Sequence, residues 1–226
     1  MVAAKRITKK QLKQPDEFVT WGSRAMNYLV ARIKYIGLGL LVLGVIVLAV
    51  FLWRQHVAAT QERAFTLLGK GISLYEQDDK DDDAAQAFTT LIDDYGRTRA
   101  GKMALLYRGR LYMHQSKYDQ AIADYKLLLQ KSSVPFLRAV AYNGLGTAHM
   151  AKGEYREGIK YFQDVLSSDA EWLKPFARLR IGMCWEFSGE RKKASEAYRE
   201  SLKSPPPPPW ANWARLRLKK LEEATE

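Results

Sequence analysis

Apolar and small residues recur at three- and four-residue steps through most of the chain, and the pattern is plainest in Tyr142–Leu166. Tyr142, Leu145, Gly146 and His149 fall on one helical face, Lys152-Gly153-Glu154 interrupts, and Tyr155, Gly158, Phe162, Val165 and Leu166 resume the period, which predicts two short helices joined by a turn. Small residues at Gly146 and Gly158 let those helices approach closely. The same spacing recurs. The small residue of the second helix repeats as Ala84, Ala121, Gly158 and Ala194, with an aromatic four residues on at Phe88, Tyr125, Phe162 and Tyr198. Counting back to the first helix gives Ile72, Gly109, Gly146 and Gly182, then Tyr75, Tyr112, His149 and Trp185. Only the first copy lacks the glycine at that position. Pro135 and Pro175 stand where a following helix should begin, since proline suits the first helical turn.

A different pattern precedes the repeats. Tyr35–Trp53 carries no charge and is rich in Leu, Val, Ile and Gly. At about 1.5 Å per residue such a helix covers roughly the 30 Å of a bilayer's hydrocarbon. Tyr35 and Trp53 sit at its ends and Lys34 and Arg54 close it, which predicts a transmembrane helix. Gly37, Gly39 and Gly44 do not form GxxxG, so no helix-pairing face is indicated. Before it, 1–34 reads as a basic arm followed by a loosely amphipathic helix starting near Pro15-Asp16-Glu17. Pro205–Pro209 must end any helix and reads as a stiff spacer. After it, Trp210, Trp213, Leu216 or Arg217, and Leu221 repeat at helical spacing, as in a terminal cap over 210–226.

The repeat resembles the tetratricopeptide repeat, on Tyr142, Leu145, Gly146, Gly153, Tyr155, Gly158 and Phe162 and their counterparts in the other copies. Copies fall at about 65–98, 102–135, 139–172 and 175–204, within a domain of 54–204. Their steps exceed the usual 34 residues of that repeat by two or three, which longer turns would absorb. The expected fold is therefore all-α: an N-terminal transmembrane helix, an α-solenoid of about four helix pairs, and a C-terminal capping helix.

The net charge of +11 changes this picture only at the ends. Residues 1–53 hold eight Lys/Arg against two acidic residues, so the N-terminal tail carries +6 and the remainder +5. That bias places the tail in the cytoplasm and the repeats on the other side. Neither the acidic run at Asp78–Asp83 nor the basic group Arg215, Arg217, Lys219 and Lys220 interleaves aromatics as a single-strand nucleic-acid binder does, and no nucleic-acid partner is expected. The single Cys184 forms no intrachain disulfide and reads as a buried thiol. His56, His114 and His149 are isolated, and GxSxG, HExxH, a phosphate-cradling loop and a calcium loop are all missing. No enzyme, metal or cofactor is expected.

Members of the tetratricopeptide family line a groove with the first helices of successive repeats. The resemblance places there Met103, Leu106, Arg110 and Met113 of the second copy, Val140, Asn143, Thr147 and Met150 of the third, and Phe176, Leu179, Met183 and Phe187 of the fourth. All four methionines beyond residue 53 fall in this set, and thioethers adapt to irregular apolar partners, so hydrophobic or amphipathic polypeptide segments are the expected ligands. The alternative is that these side chains pack against the array's own first helix or its cap. The Lys/Asn arrangement with which some members clamp a peptide's terminal carboxylate is not reproduced by Arg110 and Asn143. As an architecture, basic tail, single span and repeats are similar to the ancillary subunit family of the bacterial Sec translocon (the YfgM type). That resemblance implies a bacterial inner-membrane protein with a cytoplasmic N-terminus and periplasmic repeats, whose partners are translocon subunits, periplasmic chaperones or exported polypeptides. The alternative is a scaffold for envelope assembly or cell division.

Overall fold

The structure, a computed structural model, describes residues 17–77, 79–203 and 209–223. The expected basic arm and most of the proline spacer lie outside them. Helices account for nearly all the described residues, and no strand occurs among them. They are α1 (Glu17–Tyr75), α2 (Asp81–Tyr95), α3 (Arg99–His114), α4 (Tyr118–Lys131), α5 (Pro135–Ala151), α6 (Tyr155–Leu166), α7 (Lys174–Phe187), α8 (Arg191–Ser201) and α9 (Ala211–Glu223), with a 3-10 turn at Glu171–Leu173. The chain divides into two units, Met1–Val57 and Ala58–Glu226.

In the first unit every described side chain is exposed, the apolar ones of Tyr35–Trp53 included. Among the described residues α1 is the one helix long and apolar enough to cross a membrane. A soluble chain does not display an apolar surface of this extent unless something apolar covers it.

The second unit is a stack of helix pairs: α3 with α4, α5 with α6, and α7 with α8, closed by α9, and preceded by the end of α1 packed on α2. The aromatic of each second helix is what joins a pair. Phe88, Tyr125, Phe162 and Tyr198 are all buried. Each ring lies against a glycine of the partner helix: a Cβ on Gly109 would stand 2.6 Å from Tyr125 Cε1, on Gly146 2.6 Å from Phe162 Cε1, and on Gly182 2.6 Å from Tyr198. No real side chain fits at that distance, so glycine is required by close approach. The first pair obeys the same rule through Gly71, whose Cβ would meet Phe88 Cε1 at 2.6 Å. The glycine that the 37-residue spacing fails to find at Ile72 is thus present one residue earlier. The connection explains the offset: 76–80 is two residues longer than 115–117, 152–154 and 188–190, and α1 ends one residue sooner after its glycine, a net shift of one.

Those three shorter turns share one backbone geometry. Ser116, Gly153 and Gly189 have φ of 58°, 80° and 80°. Around each, the amide of the next residue donates five back and its own amide donates three back, as in Glu154 N to His149 O at 2.9 Å and Gly153 N to Met150 O at 3.0 Å. This is the Schellman helix ending, which asks for a left-handed residue. Pro135 and Pro175 lie in the first turns of α5 and α7, at the positions expected. Between pairs, Thr98 caps α3 by accepting from Gly101 N at 3.0 Å.

Candidate functional site

Three first helices, α3, α5 and α7, border a pocket of about 220 Å³. Leu106, Arg110 and Met113 project from α3; Val140, Asn143, Gly144 and Thr147 from α5; Arg180 from α7, with the Tyr125 ring behind. The structure therefore brings together Leu106, Arg110, Met113, Val140, Asn143 and Thr147 of the expected groove. Their spacing follows from helix geometry, because residues three and four apart share a face. Leu106 and Val140 are buried and form the apolar floor, Met113 is half-buried, and Arg110 is exposed.

The remaining expected residues are placed elsewhere. Met103 is half-buried against the core built by the first two pairs and α5. Met150 packs on the next core segment, the one that contains Phe162, Ile181 and Cys184. Leu179 is buried with Phe176 and Met183 in a third cluster, completed by Trp210, Ala214, Leu218 and Leu221, so at this end of the array the chain's own α9 and its approach cover the apolar face. Phe187 is 55 % exposed at the end of α7, where its ring leans on Tyr155 with centroids 5.6 Å apart.

Three pocket residues escape the spacing argument: Tyr125, Gly144 and Arg180. A 36-residue step from Asn143 points to Leu179, yet its neighbour Arg180 faces the pocket while Leu179 turns to α9. The signal in the sequence was Gly144. Its Cβ would stand 2.7 Å from the Tyr125 ring, so this glycine beside the signature Gly146 marks where an aromatic reaches from one repeat to the next.

Charges around the pocket divide sharply by partner. Arg108 donates to both carboxylate oxygens of Asp124 at 2.7 and 2.8 Å and to Thr89 Oγ1 at 2.8 Å, tying α3 to α4 and α2. Burial is the largest influence and opposes its charge, but the Asp124 hydrogen bond and the attractions of Asp124, Tyr112 and Asp93 together outweigh it and raise its pKa. Arg138 is held by Leu129 O, Ser132 O and Tyr142 Oη. Arg217 and Tyr198 both reach Glu186, which fastens α9 to α7 and α8. On the far side of α5, His149 Nδ1 lies 2.5 Å from Glu154 Oε2, and Lys152 bridges Glu154 and Asp119 at 2.9 and 2.7 Å. Hydrogen bonds from Lys152 and then His149 hold the Glu154 carboxyl below its ordinary pKa. Cys184 is buried, and burial pushes its thiol up to about 12. Among the described residues no group of three or more His, Cys, Asp or Glu could hold a metal.

Paired antiparallel helices repeating every 36 to 38 residues, locked by an aromatic on a glycine, with a pocket bordered by the first helices of three pairs, define a tetratricopeptide α-solenoid. The chain belongs to the family described as "Tetratricopeptide repeat-like domain", which it matches over residues 28–223, a span that takes in the apolar run as well as the repeats. Among solved structures it is similar to a crystal structure of MamA protein, with TM-score 0.59 at 20 % identity over 74 % of this chain and 84 % of that one. It is also similar to a Podosopora anserina putative kinesin light chain with TPR-like repeats, with TM-score 0.58 at 12 % identity over 73 % of this chain and 88 % of that one. These likenesses concern the fold. The human protein O-mannosyl-transferase TMTC2 is 24 % identical over 116 residues, which are 51 % of this chain and 14 % of that protein. The chain thus spans about one seventh of that relative's length. Arrays of this class are protein-interaction scaffolds.

Proposed function

We propose that this chain is a single-span membrane protein of the bacterial inner membrane, with its N-terminus in the cytoplasm and its repeats in the periplasm. There the array serves as an accessory to the Sec translocon, docking emerging chains or the chaperones that receive them. The observation that carries the scaffold reading is the pocket between α3, α5 and α7. It combines an apolar floor with polar groups that the fold does not use. The uncovered apolar surface of α1 supports the anchor, and the excess of Lys/Arg before Tyr35 supports the orientation. The translocon assignment stands on the architecture, a basic tail, one span and repeats.

Topology is the first test: protease added to spheroplasts should degrade the repeats while the tail stays protected, and protection of the repeats would reverse the assignment. For the translocon, photo-crosslinkers placed between Tyr35 and Trp53 should yield adducts with its subunits. Adducts with lipid alone would remove that partner and leave the anchored scaffold.

A further inference from the structure

Arginines that serve a fold are paired, because a guanidinium moved out of water loses hydration that only acceptors restore. Arg108, Arg138 and Arg217 of this array obey that rule. Two do not. Arg180 makes no hydrogen bond or ion pair among the described residues; its guanidinium sits 4.8 Å from the centroid of the Phe176 ring, and burial lowers its pKa without any carboxylate to offset it. Arg110 makes no hydrogen bond or ion pair among the described residues either, but it is exposed and keeps its water; it lies 5.8 Å from the Tyr107 centroid. Stacking fixes a guanidinium by its face and leaves its edge donors free. Both line the same pocket, and no Asp or Glu does. Between them, the Asn143 Oδ1 atom is buried with no hydrogen-bond partner. Two cations and an orphaned acceptor over an apolar floor form one arrangement, because a buried acceptor and a half-buried guanidinium are normally satisfied and here share one pocket with a second, exposed arginine.

We propose that this pocket recognises an acidic side chain within a polypeptide segment: Arg110 and Arg180 take the carboxylate of an Asp or Glu, Asn143 Oδ1 accepts a main-chain N–H of the segment, and Leu106, Met113 and Val140 receive an adjoining apolar side chain. It rests on the reading of the array as a polypeptide scaffold, and adds what the partner must carry. The planar donor fork of arginine matches a carboxylate, and two forks from separate helices hold it from two directions.

The test is a selection of random 12-residue peptides, displayed on phage with no free C-terminus, on the full chain in detergent micelles and in parallel on its Arg110→Gln/Arg180→Gln variant. Peptides recovered by the parent should be enriched in Asp or Glu beside aliphatic residues. Made synthetically with an amidated end, they should bind about tenfold or more weakly after Glu→Gln or Asp→Asn, and the double variant should show the same loss. Its melting temperature should not fall, since neither arginine holds the fold together. Recovered peptides without acidic enrichment, or equal binding to the double variant, overturn the carboxylate site and leave the scaffold standing. Binding that needs a free terminal carboxylate overturns the side-chain assignment. A double variant that melts lower while still binding makes the arginines structural. Recovery of no peptide by the parent overturns the scaffold reading and this site together.

Discussion

The apolar stretch of α1 and the helices of the repeat array are both rich in aliphatic residues and glycine, but they use them in opposite ways. Between Tyr35 and Trp53 every side chain is exposed, and a Cβ added to Gly37, Gly39 or Gly44 would meet nothing within 4 Å. In the array, Leu91, Leu105, Leu128 and Leu145 are fully buried, and Gly71, Gly109, Gly144, Gly146 and Gly182 of the first helices touch aromatic rings. The array builds its own apolar phase, whereas α1 presents a surface complete only when a bilayer or another protein supplies one. Composition does not separate the two; the spacing of polar residues does. A run without polar interruption has no face to turn to water, while a three-and-four period always has one.

The contrast can be broken at its strongest point by Phe162→Ala. Removing a buried ring that joins α5 to α6 should lower array stability by about 3–5 kcal/mol in thermal unfolding of the full chain, whereas Leu43→Ala in the apolar run should leave the array's transition unchanged. Gly146→Ala places a methyl group against the Phe162 ring and should cost about 1–3 kcal/mol, while Gly39→Ala should be neutral for the array. Equal effects from either pair would remove the distinction. In the other direction, Ser116→Gly relieves the one non-glycine residue in a left-handed turn among the described residues and should raise stability by about 0.5–1 kcal/mol.

Two smaller effects refine the picture of the interior. Cys184, with its thiol pushed up to about 12, should react with maleimide at neutral pH on the order of a thousandfold more slowly than in the unfolded chain, and rapid labelling would mean that α7 opens. The Glu154 carboxyl titrates below its ordinary value because Lys152 and His149 bond its charged form. Its contribution to stability is therefore present above the unfolded carboxyl's pKa and lost as pH falls through the lower folded value. Acid unfolding of Glu154→Gln should accordingly be less steep below about pH 4.5 than that of the parent.

Much of this architecture could be read directly from residues, and the shortfalls have physical causes. The aromatics Phe88, Tyr125, Phe162 and Tyr198 and three of their glycines stand out because buried contacts recur wherever the turn between helices keeps its length. Gly71 is displaced because the turn at 76–80 is two residues longer while α1 ends one residue sooner, which moves the register by one residue and keeps the ring on a glycine. The pocket is harder to read. Arg110, Asn143 and Thr147 sit at positions that packing leaves free, so position alone could nominate them, whereas Arg180 and Leu179 exchange roles. Which of two neighbours on α7 faces the pocket is decided by α9, a helix that reaches the array across the proline run and draws Leu179, Phe176 and Met183 into its own cluster. That choice is made by tertiary packing, and helical periodicity carries no trace of it.

The most direct test of the array as a docking scaffold is site-specific photo-crosslinking from the full chain in membranes, with the photoreactive residue at Thr147 in the pocket or at Gln163 on the exposed face of α6. Polypeptide adducts from Thr147 and not from Gln163, diminished by Arg110→Gln/Arg180→Gln, are the predicted result. Adducts of equal yield from both positions, or from Gln163 alone, would contradict it.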